Sequence, residues 1–441
     1  MKFAWSNSID YVGNNEDGNM TKQSNRINRE ENQLYTSTIV CAIVFFFLLL
    51  MRDTYSIGTN KYIFFGITCM CAVFMKINQL IYLFCFLFPV YVGLPGNYMT
   101  LVLIVRLLFE IQRFKLSSLL LSVAVAGYVF VQNVLTGYTG IVPMMFIPGV
   151  ILVLLLFTYK QKLEAFPMIL MYAAGVASLG LIMLLSTLRV YDFADLLSVS
   201  FRLGAGSVDY VEEGVMNVSM DPNFYGMFSV ASISMAFPLL LQPKTKPITK
   251  LSLGLFVLIQ LIVCLIGLSR AFIIVFVAWA FLYLLSQKKI KSMLVSFVVI
   301  VGIVLFLINF MPNVIETVLA RFKTSDMATG NNRTTLIIKF FEQWSSSATT
   351  ILFGVGMYNC NVHCMPLQFF FGGGVILFVL VTAMVLSYAE VKGRISRKWY
   401  NFLPFAVTFI SMCSVPAAGL LNYMFPLVLT GLSACDVQKI N

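Results

Sequence analysis

Long apolar runs separated by short polar connectors fill the chain from about residue 36 to residue 434. A membrane-spanning helix needs about 20 predominantly apolar residues, with roughly 17–25 usual. Runs of that kind lie near 36–51, 115–135, 141–159, 167–186, 224–242, 251–269, 271–286, 293–311 and 367–389. Two weaker stretches are split at Lys76 and at the GLPGN turn of 93–97, giving spans near 62–75, 79–93 and 97–112. The stretch 402–434 has room for two short spans with a break near Asn422. The pattern therefore predicts an all-α polytopic integral membrane protein with about 12–14 transmembrane helices. No polar linker divides the runs, so residues 35–441 read as one transmembrane domain. Residues 1–34 are polar and Asn-rich, without the apolar core of a signal peptide, and are expected to form a cytoplasmic tail.

Composition narrows the class further. Apolar residues make up 59% of the 441 and charged residues 11%, against about 45–50% and about 25% in a soluble domain. A soluble globule could not hide that much apolar surface, and a disordered chain, a collagen-like fibre or a small disulfide scaffold would need other compositions. The nine Cys fall mostly inside apolar runs and read as small buried hydrophobes.

A net charge of +11 would suit a nucleic-acid binder, but the basic residues sit in the connectors, where they encode topology instead. With the N-terminus inside, the inner connectors hold Arg113 and Lys115, Lys160 and Lys162, Lys244, Lys246 and Lys250. Lys288, Lys289 and Lys291, then Lys392, Arg394, Arg397 and Lys398, continue the series. Two long loops, 187–223 and 312–366, then fall outside, and function concentrates in such loops. Outside, the cations are mostly Arg: Arg189, Arg202, Arg270, Arg321 and Arg333, with Lys323 and Lys339. The planar Arg fork suits bidentate binding of phosphate or carboxylate. The plainer alternative is pairing with Asp192, Asp195, Asp209, Glu212, Glu213 and Asp326 in the same loops.

Three places could carry chemistry. The first runs from Arg202 in FRLGAG (201–206) to MDPNFYG (220–226), where Asp221, Pro222 and Asn223 form a helix-start signal. Such a start launches a span, and it is also a natural anion site. The second is Ser269-Arg270, where Arg270 is the only charged residue between residues 251 and 286. It places Arg270 at the boundary of a tight hairpin, where it either snorkels or meets a phosphate at headgroup depth. The third is the loop from Gly330 to Gly374. GNNRTTLIIKFFEQW (330–344) reads as an amphipathic helix capped by Asn331 or Asn332. Leu336, Ile337, Phe340, Phe341 and Trp344 fall within about 140° of arc, with Arg333 along the same stripe. Laid on the membrane, this helix would aim Arg333 at the headgroups; the alternative is a solvated Arg at a helix end.

Downstream, CNVHC (360–364) contains His363, the only His in the chain. An unperturbed pKa near ~6.5 suits it as a proton acceptor at neutral pH, although a lone His is often structural. Cys360 and Cys364 flank it, but three ligands within five residues do not close a tetrahedral zinc site, so neither metal nor cofactor is expected. A local disulfide is an alternative. The Gly372–Gly374 run enters an apolar span and is read as permitting close helix packing.

These stretches together resemble the O-antigen ligase and Wzy-type polysaccharide polymerase superfamily. The similar segments are RLGAG…MDPNFYG (202–226), LIGLSRAFIIVFVAW (265–279) and RTTLIIKFF…ILFGVGMYN…VHCMPLQFFFGGG (333–374), about a quarter of the chain. The family often has Asn or Ser where this chain has Cys364. The resemblance implies a C-type glycosyltransferase-like (GT-C) fold in a bacterial cytoplasmic membrane. Its donor and acceptor would be oligosaccharides on polyprenyl pyrophosphate, and a chain-length regulator and a flippase would be further partners. By the same resemblance Arg270 and Arg333, with Arg202 as a third, would hold pyrophosphate. His363 would activate or orient the acceptor hydroxyl, with Asp221, Asn223 and Ser269 in support. Pyrophosphate leaves readily once its charge is neutralised, and fixed Arg groups can do that. A base opposite the leaving group would invert the anomeric centre in one displacement. Polymerase is the favoured expectation, a glycan ligase with the same donor is the alternative, and a precursor transporter is a third. Against transport stand the absence of an internal repeat, the few charges in mid-span and the two long outer loops that concentrate the Arg and His.

Overall fold

The computed structural model describes residues 36–55, 57, 61–90, 98–109, 116–136, 165–189, 191–192, 196, 222–241, 246–267, 269–286, 316, 333–357, 359–392, 399–415, 425–427 and 429–431. Among them the regular structure is entirely helical. The helices are α1 (Thr36–Asp53), α2 (Lys61–Phe74), α3 (Ile77–Val90), α4 (Tyr98–Leu108) and α5 (Leu116–Leu135). Next come α6 (Ala165–Leu188), α7 (Pro222–Leu240), α8 (Pro247–Ile266) and α9 (Arg270–Ser286). The last are α10 (Arg333–Ser345), α11 (Ala348–Phe353), α12 (Met365–Lys392) and, after a 3-10 turn at Trp399–Phe402, α13 (Leu403–Met412). Helices α1, α6, α7 and α8 are long and apolar enough to cross a membrane, and six shorter apolar segments accompany them. The protein is an α-helical membrane protein. The spans expected near 141–159 and 293–311, the break near Asn422 and the tail 1–34 lie outside the described residues.

Burial explains the arrangement. In α3 every residue except Asn78 is buried, as a helix apolar all round requires, and α3 packs along α6 at the centre. Helices α7 and α8 pack on α6 in turn, and α9 and α13 pack on α7. Five aromatic residues close the centre: Phe425 stands 4.5 Å from Phe88 and 5.1 Å from Phe84, while Phe88 also meets Phe228 at 5.5 Å and Tyr172 at 6.4 Å between ring centroids. Helix α8 shows the opposite design. It buries Leu253, Val257, Gln260, Val263 and Cys264 at helical spacing and exposes Leu251, Leu255, Leu258 and Ile262 on the other side. An apolar exposed face of that length belongs against lipid. At the break predicted at Lys76, the Gln79 side chain accepts from the Lys76 backbone N–H at 2.8 Å, so the new helix starts capped.

One expectation about the 312–366 loop changes. The amphipathic helix exists as α10, but most of its stripe docks on the protein rather than lying free for the membrane. Leu336, Ile337, Phe340 and Trp344 pack with Cys360, Val362, Leu367, Phe370 and Phe371 in a second small core, and Trp344 meets Phe370 at 4.8 Å. Ile338 and Phe341 remain exposed.

The Gly372–Gly374 run admits the close approach expected of it, here against the end of α11, and it also breaks its own helix. Gly374 (φ 72°, ψ 178°) and Gly354 (φ 77°, ψ 173°) are in backbone regions open essentially to glycine alone. The two segments cross there. Val355 N–H donates to the Phe371 carbonyl at 3.0 Å and Gly356 N–H to the Gly372 carbonyl at 2.9 Å. A Cβ on Gly354 would run into the Gly372 and Gly374 backbone, and one on Gly374 into that of Leu352 and Gly354. Helix α5 satisfies carbonyls that the break releases. Tyr128 Oη donates to the Gly373 carbonyl at 2.7 Å, and Gln132 Nε2 donates to those of Phe353 and, at 2.7 Å, Gly372.

Candidate functional site

The first part of the site is a pair of helix N-termini. Ser269 caps α9: its carbonyl accepts from Ile273 N–H at 3.1 Å and its Oγ from Phe272 N–H at 3.3 Å. The same Oγ donates to Asn223 Oδ1 at 3.0 Å, in the first turn of α7. One hydroxyl thus ties the starts of α7 and α9 side by side. Gly226 lets them approach: a Cβ there would stand 3.0 Å from Phe272 Cβ and 3.3 Å from Ser269 Oγ. Arg270 is therefore the first residue of α9, beside a second helix start, and both N-termini carry partial positive charge. Asp221, Arg202 and the Arg270 side chain lie outside the described residues.

The second part is the corner between α10 and α12. Arg333 opens α10 and is half-buried. The crossing of the two glycine segments folds the chain back, and His363 and Cys364 immediately precede α12. His363 is the only described non-glycine residue with positive φ (50°), a tight turn that His tolerates better than most residues. Cys364 caps α12, its carbonyl accepting from Gln368 N–H at 2.9 Å. Its thiol is held at about 7, well below the usual value, by a hydrogen bond from Cys413, against burial, with help from the Leu367 N–H and the nearby Arg333 charge. The Arg333 charge thus acts on Cys364, next to His363 in the chain, and α10 packs on α12. Cys360 goes the other way: buried with Phe340, Val362 and Phe371, its thiol is pushed up to about 12 by desolvation. Both Cys360 and Cys364 are free thiols, so the local disulfide is not formed.

Helix α13 packs along α7 and α9, which begin with the Asn223 and Arg270 positions, and the Cys413 thiol that follows it is the first cause of the lowered Cys364 value. Not every predicted cation joins this arrangement. The Arg189 guanidinium donates to the Thr54 carbonyl and stacks over the Tyr55 ring at 5.6 Å, fastening the end of α6 to that of α1. An ion pair buried beside it, Arg52 Nε to Asp53 Oδ1 at 2.6 Å, belongs to the same junction. Lys339 lies over the Phe340 ring at 5.8 Å and is exposed.

Reading the sequence missed Cys413, Tyr128 and Gln132. A signal existed for the last two, since they are hydrogen-bonding side chains four apart in an otherwise apolar span and so share one helix face. Comparison with protein-family models, with characterised proteins and with solved structures finds no match to this chain.

Proposed function

We propose that this protein is a polysaccharide polymerase of the Wzy type, a glycosyltransferase of the cytoplasmic membrane with its site on the outer side. It would join oligosaccharide repeat units carried on polyprenyl pyrophosphate, within a GT-C-like bundle of about 12–14 spans. The observation that carries the reading is that Arg333 opens α10, that His363 and Cys364 lie at the start of α12, which packs against α10, and that the Arg333 charge acts on the Cys364 thiol. Developing negative charge on a departing pyrophosphate needs such fixed positive groups, and Arg270 at the paired starts of α7 and α9 would add a second cation. His363 would take the acceptor hydroxyl proton or orient that hydroxyl, so that attack opposite the pyrophosphate inverts the anomeric carbon. The lipid tail would enter between spans. Arg202 would be a third phosphate ligand, with Asp221, Asn223 and Ser269 holding the helix starts.

The test is a gel profile of surface glycan and lipid-linked intermediates from cells lacking the protein. Loss of the ladder with accumulation of single repeat units supports the polymerase. Long polymer retained on its lipid carrier would show a ligase instead, and an unchanged ladder would overturn the glycan reading.

A further inference from the structure

A groove outside the two parts of the site is lined mainly by polar side chains. Its volume is about 640 Å³, inside the range of roughly 300–1,000 Å³ usual for small-molecule sites. Glu342 and Gln343 line it from the last turn of α10, Ser346 from the bend that follows, Thr350 from α11 and Thr136 from the residue after α5. The Gly354–Val355 segment of the glycine crossing completes it.

The hydrogen-bonding character of these groups selects the ligand. Thr136 Oγ1 donates to the Gln132 carbonyl at 2.9 Å, Ser346 Oγ to that of Gln343 at 2.7 Å and Thr350 Oγ1 to that of Trp344 at 2.8 Å. Each hydroxyl proton is thereby engaged by backbone, and the oxygen is left as an acceptor. A hydroxyl oxygen has two lone pairs, so Thr350, which also accepts from Ser347 N–H at 3.1 Å, retains one. Glu342 adds a carboxylate, which only accepts, and Gln343 a carboxamide with an acceptor and two N–H donors; both side chains are exposed. The groove is therefore rich in acceptors and carries one negative charge, and none of the residues that line it is a cation. A phosphate or carboxylate ligand would be repelled there. A bare metal ion needs oxygens converging to about 2.6 Å or less, which a groove this wide does not supply. A neutral molecule crowded with O–H donors fits, since a carboxylate can accept from two neighbouring hydroxyls. Glu342 also follows Arg333 by nine residues, about 13.5 Å along the α10 axis and half a turn around it. The groove thus stands apart from the proposed reacting groups.

We propose that this groove is a carbohydrate subsite, which takes neutral sugar residues of the glycan at a distance from the bond being formed. The identity of the glycan rests on the polymerase reading; the sugar chemistry rests on the groove. Such a site holds the polymer between additions, so its loss shortens chains without stopping transfer.

The experiment uses the full-length protein in lipid nanodiscs. The probe is lipid-free oligosaccharide released by mild acid from the surface glycan of the cells that carry the protein. Saturation-transfer NMR should detect the sugar ring protons on wild-type protein, and hydroxyl-radical footprinting should show the probe protecting residues 342–350. Glu342→Gln combined with Gln343→Ala should weaken binding about ten-fold, the scale of one lost hydrogen bond to a charged group. Its unfolding midpoint should stay at the wild-type value, because both side chains are exposed. Arg333→Ala should bind the probe as wild type does. In cells the double variant should give a shortened ladder. The proposal is overturned if the probe does not bind, if protection falls elsewhere, or if inorganic phosphate displaces the sugar. It is equally overturned if the double variant binds as tightly as wild type or makes chains of full length. Footprinting of the wild-type protein decides sugar binding by itself, whereas an unchanged ladder in cells lacking the protein would remove the polymerase reading alone.

Discussion

The two parts of the candidate site are built in opposite ways. The Asn223–Ser269–Arg270 part stands on long helices of the main core, with Ser269 only 1% exposed, and one side-chain hydrogen bond at 3.0 Å registers the helix starts. The Arg333–His363 part, at the start of α12, is held differently. Crossing backbone segments hold it, through the bonds of Val355 and Gly356 to Phe371 and Gly372, over a small core of Phe340, Cys360, Val362 and Phe371. Side-chain registration tolerates the loss of one contact, because helix packing keeps the ends in place. A backbone crossing does not, because one added methyl group enters the opposite chain.

The most damaging change should therefore be Gly374→Ala. The positive φ alone costs about 1–3 kcal/mol in a non-glycine residue, and the new Cβ would meet the Leu352 and Gly354 backbone as well. Gly373→Ala is the matched comparison, since the nearest atoms a Cβ there would meet belong to the Leu377 side chain rather than to backbone. Limited proteolysis and thermal unfolding should show a loosened 333–364 segment and a lowered midpoint in the first variant and much less in the second. Equal behaviour of the two would remove the crossing as the organising feature.

Next in size are the chemical groups. Arg333→Ala and His363→Ala should each lower glycan elongation about 10²–10³-fold, the scale of losing one preorganised electrostatic or acid–base group. Their unfolding midpoints should stay close to wild type, because both side chains are half-buried and lie off the small core. Arg333→Lys should recover only part of the rate, as an ammonium cannot reproduce the bidentate fork. Wild-type chain lengths in both Ala variants would dissolve the proposed site. Smaller again is Ser269→Ala, which removes the α9 cap and the tie to Asn223. It should cost about 1 kcal/mol in stability, read as a small fall in the unfolding midpoint. It should leave Cys364 reactivity unchanged, because neither Ser269 nor Asn223 is among the groups that act on the Cys364 thiol.

The same contrast explains what the sequence disclosed. Apolar runs near 167–186, 224–242 and 251–269 became α6, α7 and α8, because burial in lipid or protein acts on composition that can be counted. Ser269-Arg270 stood out for the same reason, as a polar break in an apolar run. The glycine crossing did not, because FGVG and FGGG are unremarkable separately and their pairing is a long-range backbone event. Cys413 sits inside a run that reads as span, so nothing local linked it to Cys364, 49 positions earlier. Arg189 failed in the other direction: it carries the signature of an anion ligand but is used to close the junction of α1 and α6.

The smallest effect is also the most specific. Alkylation of Cys364, followed at its own peptide, should rise with pH through a midpoint near about 7, because only the thiolate reacts. Cys413→Ala removes the leading cause of the lowered value and should move that midpoint up the furthest. Arg333→Gln removes a lesser cause and should move it less. The folded-state value lies below the ordinary 9.0, so ionised Cys364 contributes stability that is fully present above about pH 9 and lost as pH falls through about 7. Melting curves of wild type and Cys364→Ser should therefore separate above neutrality and converge on acidification. A midpoint that ignores Arg333→Gln would place Arg333 away from the His363 turn and leave the corner without its cation.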